Sequence, residues 1–215
     1  MSLLQTARFL TTVAQLRQLP RGGVPEVAFV GRSNAGKSSA INVLCQRRRL
    51  AFASRTPGRT QALNFFALGP AGEPPVACLV DTPGYGYAAA PQALKQQWDG
   101  LAGRYLQRRE QLRGVVLILD IRREVTALDE ALLGWAPADA ALLVIASKCD
   151  KLNRSQQAQA RRSITAAVEP FRPGGDFEVL AFSATTSQGV EQGRIIIERW
   201  LAEIHAAPPA PRLAP

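Results

Sequence analysis

The chain has 215 residues, 47% of them hydrophobic, and a formal net charge of +9 at pH 7. A chain of this length and composition is expected to form one globular domain with a buried core. Its apolar runs fall short of the roughly 20 residues of a membrane span, and its start lacks a signal-peptide core. We therefore expect a cytoplasmic protein without membrane contact, and separately a monomer. The single histidine and three scattered cysteines exclude a histidine-based metal site and favour reduced thiols.

Arginine dominates the charge and occurs in clusters at 47–49, 108–109, 122–123 and 161–162. Two interpretations stay open. Such clusters can be solvated faces of helices. They also suit a surface that binds a polyanion, because contacts to phosphate are additive and independent of sequence. The charge admits RNA or a ribosome as a partner without identifying one.

In chain order, residues 1–24 are predicted to form a lead-in with a short helical piece. Residues 25–205 form one domain, and the proline- and alanine-rich residues 206–215 a disordered tail. Within the domain, short apolar segments alternate with longer amphipathic ones, which predicts strands alternating with helices. The expected fold is an α/β sandwich of three layers, with a mostly parallel six-stranded sheet and one antiparallel edge strand.

The strands are expected at 27–30, 61–68, 76–80, 114–120, 141–146 and 177–182, and the helices at 39–44, 91–111, 128–135, 155–168 and 189–204. A turn rich in proline and glycine joins the second and third strands, which predicts an antiparallel hairpin. The helix at 91–111 is expected to share one apolar face with the residue after it, formed by Leu94, Trp98, Leu101, Tyr105 and Leu112. Ligands bind beyond the carboxyl ends of such parallel strands, so residues at those ends are the candidates for a site.

The first of these strands is followed by a loop that fits the phosphate-binding pattern G-x-x-x-x-G-K-[ST]. Glycines let its backbone turn N–H groups toward phosphate, at the positive end of the next helix. Lys37 would add a charge for the β- and γ-phosphates, and Ser38 a hydroxyl for Mg²⁺. The alternative, a strand–turn–helix with chance glycines, is disfavoured by the flanking strand and helix. The predicted phosphate-binding residues are Gly31, Arg32, Ser33, Asn34, Ala35, Gly36, Lys37, Ser38 and Ser39.

The third strand ends at Asp81-Thr82-Pro83-Gly84, which matches D-x-x-G. The Asp81 carboxylate would reach Mg²⁺ through a water molecule, and the Gly84 N–H would contact the γ-phosphate. Alone, D-x-x-G is more often a plain turn. Here the motif predicts a nucleotide site because it follows an apolar strand and lies downstream of a phosphate-binding loop.

A nucleotide switch also needs a threonine that closes on Mg²⁺ and the γ-phosphate. Thr60 is the predicted residue, and Thr56 in the same arginine-rich loop is the alternative. This loop and residues 85–90 are the predicted switch segments, ordered by the γ-phosphate and released on hydrolysis. The loop contributes Gly58, Arg59, Thr60 and Gln61 to the predicted nucleotide site, and Lys37, Thr60 and Gly84 are the predicted catalytic residues.

Ser147-Lys148-Cys149-Asp150 follows the fifth strand and is close to [NT]-K-x-D. Guanine presents a ring N–H and an amino group side by side, and the Asp150 carboxylate can accept from both. Adenine lacks this donor pair and would leave the carboxylate unpaired. Lys148 would lay its stem along the base, and the Ser147 hydroxyl can tether the phosphate-binding loop as the usual Asn or Thr does. The alternative is a lysine–aspartate pair with a structural role.

The last strand is followed by a short loop that completes the predicted set. Here the Ala184 N–H is expected to donate to the guanine O6 atom. The residues of this loop alone would not predict a guanine contact. The prediction depends on their position directly after the last strand. The predicted residues of this loop are Phe182, Ser183 and Ala184.

Together these residues resemble the EngB (YihA/YsxC) GTPases of the TrmE–Era–EngA–EngB group. The match runs from about Pro25 to Leu201, and the run Asp-x-Pro-Gly-Tyr-Gly-Tyr beside Pro-Gly-Arg-Thr-Gln is specific to this family. The resemblance implies a P-loop GTPase domain of Ras-like fold. The residues that carry it are Gly31 to Ser39, Thr56 to Gln61, Asn64-Phe65, Asp81 to Tyr87, Asp120-Ile-Arg122 and Ser147 to Leu152.

The resemblance also implies a role. Members assist assembly of the large ribosomal subunit and are associated with bacterial cell division and septation, so large-subunit RNA and proteins are the implied partners. Mg²⁺ would be held by Ser38 and Thr60. Asn34 stands where related GTPases coordinate K⁺ and is a candidate ligand for it.

Tyr85 stands where many small GTPases carry the glutamine that orients the attacking water. A tyrosine cannot do this in the same way, so slow intrinsic hydrolysis is expected, with the water positioned by backbone, a partner or a cation. Two other classes stay open. Asp150 argues against an ATP-dependent phosphotransferase. An RNA- or ribosome-binding protein that holds nucleotide with negligible turnover is disfavoured by the intact Lys37, Ser38, Thr60 and Asp81.

Overall fold

The structure is a computed structural model that describes residues 2–52, 62–86, 100–174 and 176–202. Within these residues one seven-stranded sheet has the order β1-β3-β4-β2-β5-β6-β7. β3 runs antiparallel to both of its neighbours, and the other pairs are parallel. The strands are β1 Arg8–Val13, β2 Glu26–Gly31, β3 Leu63–Leu68, β4 Ala77–Asp81, β5 Leu112–Asp120, β6 Ala141–Ser147 and β7 Phe177–Ala181.

Helices cover both faces of the sheet. α2, α3 and α4 pack on one face, and α1 and α5 on the other. Along β2, Ala28 and Val30 join the first core while Val27 and Phe29 join the second, as expected for a strand buried on both faces. No helix among the described residues has the length and apolar character needed to cross a membrane. The helices are α1 Lys37–Leu44, α2 Leu101–Arg108, α3 Ala127–Trp135, α4 Arg154–Val168 and α5 Val190–Ala202.

The predicted α/β sandwich with a mostly parallel sheet is confirmed, and the sheet is one strand wider than the six predicted. The additional strand, β1, lies in the segment predicted as a lead-in. It pairs with β3 from Arg8↔Ala67 to Val13↔Leu63, with an irregularity between Phe9 and Thr11. β3 therefore lies second from the edge. The lead-in is also held to α5, because the Leu4 N–H donates to the Glu198 carboxylate at 2.9 Å.

The helix predicted over 91–111 needs a correction on both sides of α2. Residues 91–99 lie outside the described part of the chain, and α2 begins only after Gly100, whose backbone is extended. It ends at Arg108, and Leu112 begins β5 instead of extending the helix. The cause is Arg109, whose backbone is extended and whose guanidinium Nε lies 3.0 Å from a carboxylate oxygen of Glu26. This pair ties the end of α2 to the start of β2. The predicted tail at 206–215 also lies outside the described residues.

Candidate functional site

The carboxyl ends of four strands meet at one edge of the sheet. Their last residues are Gly31, Asp81, Asp120 and Ser147, and adjoining strands are in parallel register, with Phe29 opposite Asp81 and Asp120 opposite Ser147. The loops after β2 and β4 line a cavity of about 840 Å³, and Lys148, after β6, also borders it. This volume lies in the range of small-molecule and cofactor pockets. A smaller cavity, of about 250 Å³, is lined by Asn34, Tyr85 and Asp120 among others.

The loop between β2 and α1 requires its first and last glycines for different reasons. A Cβ at Gly31 would lie 2.7 Å from the carbonyl oxygen of Ile118 in β5, so the close approach of two strands excludes a side chain. Gly36 has φ +100°, which L residues rarely adopt, and α1 begins at the next residue. The first N–H groups of a helix have no partner within it. They are available beside the larger cavity, which Gly36, Lys37 and Ser38 line.

The predicted phosphate-binding loop and the D-x-x-G turn are in direct contact. The Lys37 ammonium pairs with the Asp81 carboxylate, and both side chains are mostly buried. Thr82, by contrast, donates its hydroxyl to the Phe29 carbonyl oxygen at 2.9 Å, which fixes the turn to β2. Gly84 passes so close to the loop that a Cβ there would lie 3.1 Å from the Ser33 Cα atom.

The oxygen donors beside this ion pair fit Mg²⁺. The Ser38 hydroxyl and the Asp81 carboxylate belong to residues that line the same cavity. The described residues contain no group of three His, Cys, Asp or Glu side chains that could hold a metal by themselves. Mg²⁺ needs no such group, since it is usually bound by one or two carboxylates together with substrate phosphates.

Two hydrogen bonds join the loop after β6 to the phosphate-binding loop. The Ser147 hydroxyl donates to the Ala35 carbonyl oxygen at 2.5 Å, which confirms the predicted tether. Lys148, in the left-handed region at φ 60°, donates from its ammonium to the Asn34 carbonyl oxygen at 2.8 Å. Residues predicted from two separate motifs therefore form one connected unit.

Asp120 is a functional candidate that the sequence reasoning did not assign to the site. Its carboxylate accepts from the Lys148 ammonium at 2.9 Å and from Arg122 Nε and Nη2 at 2.9 and 2.7 Å. The hydrogen bonds from Arg122 first, and those from Lys148, outweigh burial and hold the Asp120 pKa well below its ordinary value. The sequence does show an aspartate at the end of an apolar strand. It does not show that this aspartate binds Lys148, because Lys148 lies 28 residues away.

Asp150 is held by the loop after β7. The Ser183 hydroxyl, fully buried, donates to one carboxylate oxygen at 2.7 Å, and the Lys151 ammonium lies 3.2 Å from the other. The Ser183 hydrogen bond, followed by that of Lys151, lowers the pKa of Asp150. The predicted residues Cys149 and Phe182 have buried side chains, and a 3.1 Å hydrogen bond from the Cys149 N–H to the Phe182 carbonyl links their backbones.

Tyr85 turns its side chain into the core. It is only 3% exposed, and its hydroxyl donates to the Asp129 carboxylate at 2.6 Å. A side chain buried in this way cannot take the place of a glutamine that orients water. The remaining predictions, namely Gly58, Arg59, Thr60, Gln61, the alternative Thr56 and the switch residues 87–90, lie outside the described residues.

A mostly parallel sheet that carries G-x-x-x-x-G-K-S, D-x-x-G and S-K-x-D at the ends of its parallel strands defines the class of P-loop GTPases. A family model described as "50S ribosome-binding GTPase" matches residues 26–148. Over 204 residues, the chain is 50% identical to a protein of Paraburkholderia phymatum named "Probable GTP-binding protein EngB", covering 93% of this chain and 92% of that one. A Dechloromonas aromatica protein of the same name is 50% identical over 202 residues, covering 94% and 90%. The chain belongs to the EngB family of GTP-binding proteins.

Solved structures support the fold. A crystal structure titled as a probable GTP-binding protein engB superposes with a TM-score of 0.62 at 19% identity, and the match covers 83% of this chain and 99% of that one. The elongation factor SelB of Methanococcus maripaludis, in complex with a GTP analogue, gives a TM-score of 0.54 at 14% identity. That match covers 83% of this chain and 34% of SelB. At these identities the likeness concerns the fold alone.

Proposed function

We propose that this GTPase works as a slow conformational switch that assists assembly of the large ribosomal subunit in the cytoplasm and is needed for normal cell division and septation. The observation that carries the switch is the direct connection between three motifs. Lys37 of the phosphate-binding loop contacts Asp81, and the same loop accepts hydrogen bonds from Ser147 and Lys148 beside Asp150. One nucleotide can then contact all three.

Guanine is the base that this arrangement suits. The lowered pKa of Asp150 keeps its carboxylate ionised at neutral pH, so that it can accept from the ring N–H and the amino group of guanine. Lys148 lies with its ammonium fixed at the Asn34 carbonyl and at Asp120, which leaves the stem of its side chain free to lie along the base. The Ala184 N–H would contact O6.

At the phosphate end, Lys37 and the first turn of α1 would bind the β- and γ-phosphates. Ser38 and Thr60 would hold Mg²⁺, with Asp81 contacting it through water, and the Lys37–Asp81 ion pair would open as nucleotide binds. Bound Mg²⁺ would offset the charge of the phosphates. The Gly84 N–H, fixed beside Ser33, would contact the γ-phosphate and so distinguish GTP from GDP.

Slow hydrolysis follows from the buried Tyr85 side chain. The described residues place no glutamine after the D-x-x-G turn, so the attacking water would be positioned by backbone groups, by a partner or by K⁺ bound at Asn34. Asn34 is exposed and lies in the left-handed region at φ 63°. We expect turnover to be faster in K⁺ than in Na⁺. Equal rates in the two salts, with and without ribosomal subunits, would remove the cation from the proposal.

The ribosomal part of the proposal is supported by two observations. The matching family model is described as a 50S ribosome-binding GTPase, and the chain has a net charge of +9, which suits a surface that binds RNA phosphates. The second candidate is a protein that binds RNA or ribosomes and holds nucleotide with negligible turnover. The same basic charge favours it, and the Lys37–Asp81 contact argues against it.

One experiment separates these candidates. Purified protein is sedimented with large ribosomal subunits in the presence of GDP or of a non-hydrolysable GTP analogue, and GTP turnover is measured in parallel, with Lys37→Ala as the control for phosphate binding. The switch predicts binding to subunits in one nucleotide state and turnover that subunits accelerate. Binding that is the same in both states, together with turnover no higher than that of Lys37→Ala, would favour the second candidate.

A further inference from the structure

We propose that Tyr85 is a positioning residue for the γ-phosphate. Its hydroxyl, anchored on Asp129 at the start of α3, holds the N–H of Gly84 at a fixed place against the phosphate-binding loop. This inference rests on the proposed function, in which the Gly84 N–H contacts the γ-phosphate. It assigns to Tyr85 a role that differs from the orientation of water, for which its side chain is wrongly placed.

The backbone of Tyr85 is bound to the phosphate-binding loop on both sides. Its N–H donates to the Gly31 carbonyl at 3.3 Å, and its carbonyl accepts from the Ser33 N–H at 2.9 Å, which makes an isolated parallel bridge between Arg32 and Tyr85. Gly84 immediately precedes this bridge. The position of the Gly84 N–H therefore depends on Tyr85 remaining hydrogen-bonded in this bridge.

The side chain of Tyr85 fixes the bridge to a helix. Its hydroxyl donates to Asp129 Oδ1 at 2.6 Å, and Asp129 is 1% exposed. The other oxygen, Oδ2, accepts from the Thr126 N–H at 2.8 Å and from the Thr126 hydroxyl at 2.7 Å. The carboxylate is thus held at the start of α3 from one side and holds Tyr85 from the other. Hydrogen bonds in which the acceptor is ionised are roughly twice as strong as hydrogen bonds between two neutral groups.

Burial, and then the charge of Asp129 and the hydrogen bond to it, raise the pKa of Tyr85 well above its ordinary value. The hydroxyl therefore remains a proton donor across the pH range in which the protein works. The anchored stretch ends at Gly86, which has φ +92° and passes against the Arg32 side chain. Such a conformation favours glycine, so the chain can change direction directly after the anchor.

The consequence depends on the nucleotide. Removing the hydroxyl leaves a buried oxygen of Asp129 without its donor, which is costly, and loosens the backbone bridge between Tyr85 and Arg32. GTP relies on the Gly84 N–H, whereas GDP has no γ-phosphate to contact it. The loss should therefore fall on GTP and spare GDP, and a residue with only a structural role would not produce this difference.

The test compares Tyr85→Phe with wild type by calorimetric titration of GDP and of a non-hydrolysable GTP analogue, and by GTP turnover. We expect about tenfold weaker binding of the analogue, or 1.4 kcal/mol, slower turnover, and GDP affinity within about twofold of wild type. Tyr105→Phe is the matched control. It removes a buried tyrosine hydroxyl from another carboxylate, that of Glu26, away from the loops of the site, and should leave both affinities unchanged.

Asp129→Asn provides a second variant if Tyr85→Phe does not fold, because the amide oxygen is a weaker acceptor for the tyrosine hydroxyl. It should give a smaller loss of the same sign. Equal losses of GDP and analogue binding in these variants, or unchanged binding of both, would overturn the role of Tyr85. Failure of the wild-type protein to bind either nucleotide would instead contradict the proposed function, so the two failures are distinguishable.

Discussion

The Ser147 hydroxyl donates to the Ala35 carbonyl oxygen across 2.5 Å, and the two residues are separated by 112 positions in sequence. Both are buried. This hydrogen bond joins the loop proposed to read the base to the loop proposed to bind the phosphates. The affinity for a nucleotide should then depend on a contact that touches neither base nor phosphate.

Ser147→Ala should weaken GDP and GTP binding together, by about tenfold, because a lost hydrogen bond that leaves a buried acceptor unpaired costs about 1–3 kcal/mol. The preference for guanine over adenine should persist, since Asp150 is unchanged. Titration with GDP and ADP measures both. Ser147→Thr keeps the hydroxyl and should bind as wild type does. A threonine variant as weak as the alanine variant would show that the tether is not what matters.

Asp120→Asn should destabilise the protein at pH 7, because the carboxylate is held between Arg122 and Lys148. The folded-state pKa of Asp120 is lowered, so its contribution is fully present above the unfolded pKa of about 4 and is lost as pH falls through the lower folded value. The difference in unfolding free energy between wild type and variant should shrink below about pH 4. Urea denaturation across pH measures it.

The matched control for that prediction is Arg123→Ala, which removes an exposed neighbouring cation that is not an ion-pair partner of Asp120 among the described residues. Its stability should follow wild type at every pH. A difference between Asp120→Asn and wild type that stays constant from pH 7 to strongly acidic conditions would contradict the assignment of Asp120 as an ionised anchor for Lys148.

Glu26→Gln should cost about 3–5 kcal/mol of stability, the range for breaking one partner of a buried ion pair. The Glu26 and Arg109 side chains are 1% and 12% exposed, and Tyr105 also donates to Glu26 at 2.9 Å. Glu178→Gln, in a pair whose side chains are 43% and 56% exposed, should change stability by less than about 1 kcal/mol. Equal losses of unfolding free energy for Glu26→Gln and Glu178→Gln in chemical denaturation would contradict a larger stabilising role for the buried pair.

Gly114→Ala should destabilise the protein by about 1–3 kcal/mol through overpacking. A Cβ at Gly114 in β5 would lie 2.3 Å from a ring carbon of Trp200 in α5. Gly134 in α3 is the matched control, since the nearest atom to its Cβ would be 3.9 Å away, and alanine is favoured over glycine by roughly 0.5–1 kcal/mol within a helix. Thermal denaturation should shift down for the first variant and up, or not at all, for the second.

The sequence predicted the six strands β2 to β7 because each is an apolar run between turn signals. β1 escaped prediction for the opposite reason. Its exposed residues, among them Phe9 and Leu10, do not alternate regularly with buried ones, and its partner strand β3 lies far downstream in the chain, with Val13 opposite Leu63.

The motif residues could be assigned to a site because local spacing defines them. The contacts that hold them could not, because they join distant positions. Tyr85 and Asp129 are 44 residues apart, and nothing in either segment indicates the other. Asp120 shows the intermediate case, where an aspartate at a strand end was visible in the sequence but its pairing with Lys148 required the sheet.

The most direct test of the account is the base preference of Asp150→Asn, measured by titration of GDP and xanthosine diphosphate into the variant and wild type. Xanthine carries a carbonyl where guanine carries the amino group, and an asparagine amide can donate to that carbonyl. We expect wild type to prefer GDP, and the variant to lose GDP affinity by roughly a hundredfold, since two charge-assisted hydrogen bonds are affected, and to prefer xanthosine diphosphate. Unchanged GDP affinity in Asp150→Asn, with no gain for the xanthine nucleotide, would contradict the assignment of Asp150 as the residue that reads guanine.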